Sequence, residues 1–342
     1  MEERIPLIRS KRWPGPNPPG KILAIRLQAM GDLVITLPYL QHLRNTLPQT
    51  TVLDLLTREE VDDIPRTLEL FNRVISVGGG RRRSAQWLHG LRLLPGILSR
   101  NYDVVIDLQN NSLSRFFRRS VMPKAWAEFD KFSPLAAGER TRLTIQAAGL
   151  SIPVADTRFI LRNRDEGSSI LKQKGWDGQG RVLVLNPAGA FVTRNWPIEN
   201  YLAFAERWLD AFPQTQFLVM GLDSMRDKAL ELEKRLGRKL INLVGKTSAA
   251  QVFSILQQAS LVISEDSGLM HMSWVSGIPT LAMFGSTRSD WSRPLGEHTL
   301  LLDSSDLPCG NCMQEVCKYG DTHCLARYSP EWVFQQSLRL VK

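Results

Sequence analysis

The sequence predicts an α/β protein of two domains, each a mostly parallel sheet covered by helices. Three observations predict it. The chain has 342 residues and 38.7 kDa, enough for about two domains. Apolar β-type runs alternate with helical patterns, which is the signature of strand–helix–strand units. That alternation begins at Lys21, fades near residues 110–180, and restarts at 182. Hydrophobic residues make up 43% and charged residues 23%. This is ordinary globular composition, so a disordered chain, a collagen-like fibre and a small disulfide scaffold are excluded.

Residues 1–20 read as a basic, proline-rich tail, because Pro14, Pro16, Pro18 and Pro19 oppose both helix and central strand. The N-terminal domain is expected over 21–164. KILAIRL (21–27) is a strand, and 33–47 is a helix with Leu33, Leu37, Leu40 and Leu47 on a similar face. TVLDLLT (51–57) and VISVGG (74–79) are strands. A helix is expected over 85–98, bent or ended by Pro95, and DVVIDLQ (103–109) is a further buried strand. A helix fits 139–149. The segment 165–180, with four glycines, reads as the linker. The C-terminal domain then takes 181–329, with strands at 182–187, 216–221, 240–245, 260–265 and 280–285. Helices fit at 198–212, 224–236, 249–259 and 268–276.

Net charge is +9, and residues 1–160 carry +8 of it. A basic half suits an anionic partner (phosphorylated lipid, membrane surface or nucleic acid) or is simply a solvated basic surface. The longest uncharged run, 267–287, is interrupted by Gly268, Gly277 and Pro279, and reads as helix, turn and strand rather than a membrane span. The start of the chain lacks the pattern of a secretory signal, so the expected location is cytoplasmic. Trp13 among Arg9, Lys11 and Arg12 could touch an anionic membrane, or belong to a loosely docked end.

Four local patterns carry chemistry. After the first strand come Met30, Gly31 and Asp32. Gly31 permits close backbone approach, and Asp32 at a helix start is either a proton acceptor or a helix cap. No GxGxxG is present. After strand 182–187, Gly189 and Ala190 precede Arg194, in a loop that either cradles phosphate or is a plain turn with a surface cation. After strand 260–265, Asp266, Ser267 and Gly268 open a helix with His271 in its first turn. That is a ready anion site, or a packed imidazole beside an ordinary cap. All four cysteines, Cys309, Cys312, Cys317 and Cys324, fall within one segment, 309–324. They are either four reduced thiols or a tetrahedral all-sulfur site for structural zinc or a single iron.

Together MGDLVITLP (30–38), RNWP (194–197), LVGKTS (243–248) and VISEDSGLMHMSWVSGIPTLAMFGST (262–287) resemble the heptosyltransferases of glycosyltransferase family 9 over about residues 21–335. The resemblance implies a GT-B architecture, two Rossmann-like domains facing across a cleft, with acceptor bound by the first and donor by the second. A C-terminal helix at 330–342 would cross back to the first domain. It implies inverting transfer of heptose from ADP-L-glycero-D-manno-heptose to an anionic lipopolysaccharide inner-core acceptor. No cofactor would be required for catalysis, no nucleic acid would be bound, and the enzyme would sit peripherally on the cytoplasmic face of the inner membrane. Asp32 matches the family's general base. Met30 and Gly31 stand beside it. Gly189, Ala190, Arg194, Ser267, Gly268 and His271 match the diphosphate site. Asp223 matches the ribose contact, Thr247 the base pocket and Asp266 the donor-sugar contact.

Three departures stand out. Arg194 replaces a common Lys, which changes point-charge binding into a fork. Gly189 and Ala190 lack hydroxyls, and the cysteine segment resembles only a subset of the family. The close alternative is the same chemistry with another nucleotide sugar, or with a protein or other glycan acceptor. The distant one is a non-catalytic polyanion binder, which would show salt-steep binding and no nucleotide preference.

Overall fold

The computed structural model describes residues 8–151 and 153–341. It forms two compact units, Met1–Arg162 and Asn163–Lys342.

The first unit contains β1 (Ser10–Lys11), β2 (Lys21–Ile25), α1 (Met30–Thr46), β3 (Val52–Arg58), α2 (Asp63–Thr67) and β4 (Arg73–Val77). It continues with α3 (Arg83–Leu98), β5 (Val104–Asp107), α4 (Ser112–Val121), β6 (Ala125–Glu128) and α5 (Ala137–Ala147). The sheet order is β1-β6-β5-β2-β3-β4. All neighbours are parallel except β1, which pairs antiparallel with β6. The chain steps outward from β2 to β4, then returns to place β5 on the other side of β2. That reversal opens a crevice beyond the C-terminal ends of β2 and β5, where open α/β sheets bind ligands.

The second unit opens with α6 (Glu166–Gln173), β7 (Val182–Asn186), α7 (Ile198–Ala211), β8 (Gln216–Val219), α8 (Arg226–Leu236), β9 (Leu240–Asn242) and α9 (Ala249–Leu256). It closes with β10 (Leu261–Glu265), α10 (Gly268–Val275), β11 (Thr280–Phe284), α11 (Ser289–Ser292), β12 (Thr299–Asp303), α12 (His323–Ala326) and α13 (Pro330–Leu340). Its sheet is wholly parallel, in the order β12-β11-β10-β7-β8-β9. The same reversal lies between β7 and β10. Both sheets are therefore doubly wound, as the sequence predicts.

The runs VLVLN, LVISE and TLAMF are buried at every position, because helices cover both faces of a parallel sheet. Trp196, Tyr201, Phe204 and Trp208 fill the core on one side, joined by Phe334 of α13.

Several expectations need correction. The expected linker holds α6, docked on α9. Gly167 donates its N–H to Ser254 Oγ at 3.0 Å. A Cβ there would run into the Ser254 carbonyl, so glycine lets the two helices approach. The domain boundary therefore precedes this segment. The described part of the expected tail is docked: β1 pairs with β6, and Trp13 N–H reaches Ala148 O at 2.8 Å. Residues 1–7 lie outside the described residues. Pro95 does not end α3, which runs on to Leu98. The C-terminal helix is α13, whose apolar face packs on α7 and β12, Phe334 meeting Trp208 at 5.8 Å. Strands β6 and β12 and helix α4 were not foreseen.

Candidate active site

The crevice of the first unit is built around Asp32. Its position is the third residue of α1, with Ala29 as the cap, so it is not the cap itself. Asp32 Oδ2 accepts the Ala29 N–H at 3.1 Å, and Oδ1 pairs with Arg26 Nη2 at 2.9 Å. The Asp32 side chain is still 43% exposed, so one face of the carboxylate is open to solvent. Met30 and Gly31 are half-buried beside it.

Arg26 is the supporting residue that the sequence reading missed. It ends an apolar strand run, is only 5% exposed, and donates through Nη1 to Leu108 O. Burial lowers its pKa, and the Asp32 charge opposes that loss. Phe129 has two guanidiniums at 5.1 Å from its ring, those of Arg26 and Arg140. Arg140 is likewise lowered by burial and raised by Asp32. The loop before α1 is fixed from the neighbouring strand, since Gln109 Oε1 accepts Leu27 N–H at 3.0 Å and Gln28 N–H at 2.9 Å. Gln109 is itself held by Asp107, whose Oδ1 accepts the backbone N–H groups of Gln109 and Asn110 at 3.2 and 2.7 Å.

The crevice of the second unit gathers most of the other predicted residues. Asn186, the last residue of β7, donates through Nδ2 to Ser264 Oγ at 2.7 Å and Ser267 Oγ at 2.8 Å. This ties the two loops across the reversal. Ser267 caps α10 by accepting Met270 N–H at 3.3 Å, and Gly268 is the first helical residue, half-buried. Asp266 is half-buried, with its N–H on Met283 O at 3.0 Å. His271 is buried, and its Nδ1 accepts the Trp274 Nε1–H at 3.2 Å. That places the imidazole proton on Nε2.

Gly189 departs from its expected role. Its N–H donates to Glu265 Oε2, and Trp196 N–H donates to Glu265 Oε1 at 2.7 Å. A buried carboxylate must find donors, and it takes this one from the expected phosphate cradle. A Cβ on Gly189 would strike Asn195, Arg194 and Glu265. Ala190 is exposed at the rim. Burial pushes the Glu265 carboxyl up to about 7, although Lys228 and both N–H donors oppose this. Glu265 is a second missed residue: it organises the loop that carries Arg194.

Arg194 lies over the Phe191 ring at 4.9 Å, and its Nε is buried without a hydrogen-bond partner among the described residues. Its turn, 192–194, rests on the cysteine segment: Thr193 Oγ1 donates to Gln314 O at 2.6 Å, and Cys324 Sγ approaches Thr193 O at 3.5 Å. Asp223 is exposed, pairs with Arg226, and stands against Gly245 on the neighbouring loop. Thr247, two residues on, has a buried hydroxyl with no partner among the described residues. Asp223 and Thr247 are thus on adjacent loops at the C-terminal ends of β8 and β9.

All four cysteines line one cavity of about 280 Å³, and all are free thiols. Backbone N–H groups lower the Cys317 thiol, while burial raises that of Cys324. Among the described residues, no three His, Cys, Asp or Glu side chains are gathered closely enough to hold a metal ion.

Residues 127–323 match the family model described as glycosyltransferase family 9 (heptosyltransferase). The chain belongs to glycosyltransferase family 9. Among its relatives, the lipopolysaccharide heptosyltransferase 1 of Pseudomonas aeruginosa is 26% identical, covering 92% of this chain and 96% of its own. A family 9 glycosyl transferase from Veillonella parvula superposes with a TM-score of 0.79 at 17% identity, covering 94% of this chain and 97% of its own. An E. coli heptosyltransferase solved with ADP gives 0.68 at 21% identity, covering 92% and 98%. The glycosyltransferase therefore has the GT-B fold of these enzymes.

Proposed function

We propose that this glycosyltransferase moves L-glycero-D-manno-heptose from ADP-heptose onto an anionic lipopolysaccharide inner-core acceptor, with inversion and with Asp32 as general base. The observation that carries the reading is the Asp32 carboxylate. It sits in the reversal crevice, fixed by Arg26 and the Ala29 N–H, with its other side open. A carboxylate oriented in this way accepts the acceptor hydroxyl proton as that oxygen bonds to the anomeric carbon and ADP departs. The donor part rests on the second crevice and on the likeness to an enzyme solved with ADP. Arg194, the start of α10 at Gly268, and His271 would offset the charge on the leaving diphosphate. Asp223 would hold the ribose hydroxyls, Thr247 the nucleobase and Asp266 the donor sugar.

The acceptor part rests on heptosyltransferase relatives and on the basic first half of the chain. No helix among the described residues is long and apolar enough to cross a membrane, so the proposed position at the inner membrane's cytoplasmic face is peripheral. Calorimetric titration with ADP, UDP, GDP and CMP tests the donor. Selective ADP binding is expected, and preference for another nucleotide would move the assignment to another sugar.

The same reading gives Cys309, Cys312, Cys317 and Cys324 a structural zinc or iron, supported by an all-sulfur donor set around one cavity. Binding requires the thiols to draw together. The metal would brace the turn of Arg194 and take no part in transfer. Elemental analysis of the protein purified without added metal, beside Cys317→Ser, tests this. A stoichiometric metal lost in the variant is expected, and a metal-free wild type would contradict it.

A further inference from the structure

Among the described residues, no element covers the outer face of α3, although the helix is well seated on its inner face. Gly90 and Ile97 are buried, Gly90 faces Leu113 and Phe117 of α4, and Trp87 meets Phe116 edge-on at 5.2 Å. On the opposite side Leu88, Leu91 and Leu98 are 51%, 52% and 40% exposed, with Pro95 also exposed. Their spacing places them on one face. Arg92 shares that face, and Arg81, Arg82 and Arg83 are exposed at its N-terminal end. Residues 70–102 hold six arginines and no Lys, Asp or Glu. A row of exposed leucines within a field of one sign is the pattern of a helix lying in a lipid interface.

We propose that α3 is the surface by which this chain docks on an anionic lipid bilayer, through Leu88, Leu91 and Leu98 inserted among headgroups and Arg82 and Arg92 paired with them. Charge selects this occupant. A second copy would set arginines against arginines, whereas anionic lipid complements them. The Trp13 segment is a poorer anchor, because its indole N–H is spent on Asn17 O at 2.8 Å and the chain there is tied to Ala148.

The surface also leads to the candidate site. A cavity of about 360 Å³ is walled by Arg81, Arg83 and Trp87 from the α3 end, and by Gln28 and Arg58 from the base loop and β3. Gln28 lies four residues before Asp32. A headgroup lifted from a bilayer beneath α3 would enter beside the proposed base. This step rests on the acceptor reading above; the docking surface does not.

The test is co-sedimentation of the full chain with phosphatidylglycerol-containing vesicles and with phosphatidylcholine vesicles. Wild type, Leu88→Asp/Leu91→Asp and Arg82→Ser/Arg92→Ser are compared, with chain mass followed by light scattering. Wild type should bind the anionic vesicles, less so as salt rises, and hardly bind the neutral ones. Each double variant should bind roughly tenfold or more weakly, with ADP affinity and turnover on a water-soluble core oligosaccharide unchanged. Equal binding by the variants, binding indifferent to lipid charge, or a leucine variant that only dissociates an oligomer would each overturn the proposal. Vesicle binding lost as expected in a protein inactive on every core acceptor would uphold the surface and remove the acceptor reading.

Discussion

Asp32 keeps nearly half of its side-chain surface in water, whereas Glu265 keeps none. Asp32 lies in the first turn of α1 and Glu265 ends β10, each beside a sheet reversal, and burial separates what the two carboxyl groups can do. The exposed carboxylate, fixed by Arg26, is suited to take a proton; the buried one orders backbone. Asp32→Asn keeps the shape of the loop and should cost roughly two to four orders of magnitude in turnover with ADP affinity intact; single-turnover kinetics beside calorimetry will show it. Glu265 yields a prediction of opposite kind. Its folded pKa is raised from 4.5 to about 7, so between those values the folded protein holds a proton that the unfolded chain has released. Its contribution to stability must fall as pH rises through that window. Melting curves from pH 5 to 8 should show the decline in wild type and a flatter profile in Glu265→Gln. The motif reading singled out Asp32, Asp266, Ser267 and His271 because each follows a strand within several residues, and the structure sets them beside the two sheet reversals. Arg26, Gln109 and Glu265 were out of its reach. Gln109 and Glu265 act on partners distant in the chain, which only strand pairing brings near, and Arg26 reaches both Asp32, six residues on, and Leu108 beyond the paired strand β5.

The long strands were legible because a parallel sheet buried on both faces demands continuous apolar runs. β6 was not, since AWAE is too short and mixed to stand out. Glycine misled the reading at α6, where composition pointed to a linker. Gly167 is there for close helix contact, which a sequence window does not reveal. Gly167→Val should therefore lower stability by about 1–3 kcal/mol through overpacking against Ser254, seen as a shifted denaturant midpoint without loss of ADP selectivity. Loops after β7 and β8 carry the proposed donor contacts. Arg194→Ala and Asp223→Ala should each weaken ADP binding about tenfold or more, since each removes a charged hydrogen-bonding partner. Unchanged affinity in both would displace the donor site from these loops.

At the scale of the whole molecule, two sheets of the same winding have been given different surfaces. Nearly all of the net positive charge falls in the first half, where residues 70–102, the stretch that holds α3, carry six arginines and no Lys, Asp or Glu. The second half is close to neutral and carries Asp223, Asp266 and the α10 N-terminus. That division suits an anionic acceptor on one unit and a nucleotide on the other. The central claim is transfer with inversion from ADP-heptose under Asp32. Its most direct test is NMR of the purified enzyme with ADP-heptose and a core oligosaccharide acceptor, following released ADP and the anomeric signal of the product. The account predicts one ADP per glycosidic bond, a product of inverted anomeric configuration, and near silence in Asp32→Asn. Retained configuration, or an Asp32→Asn enzyme that turns over normally, would contradict it.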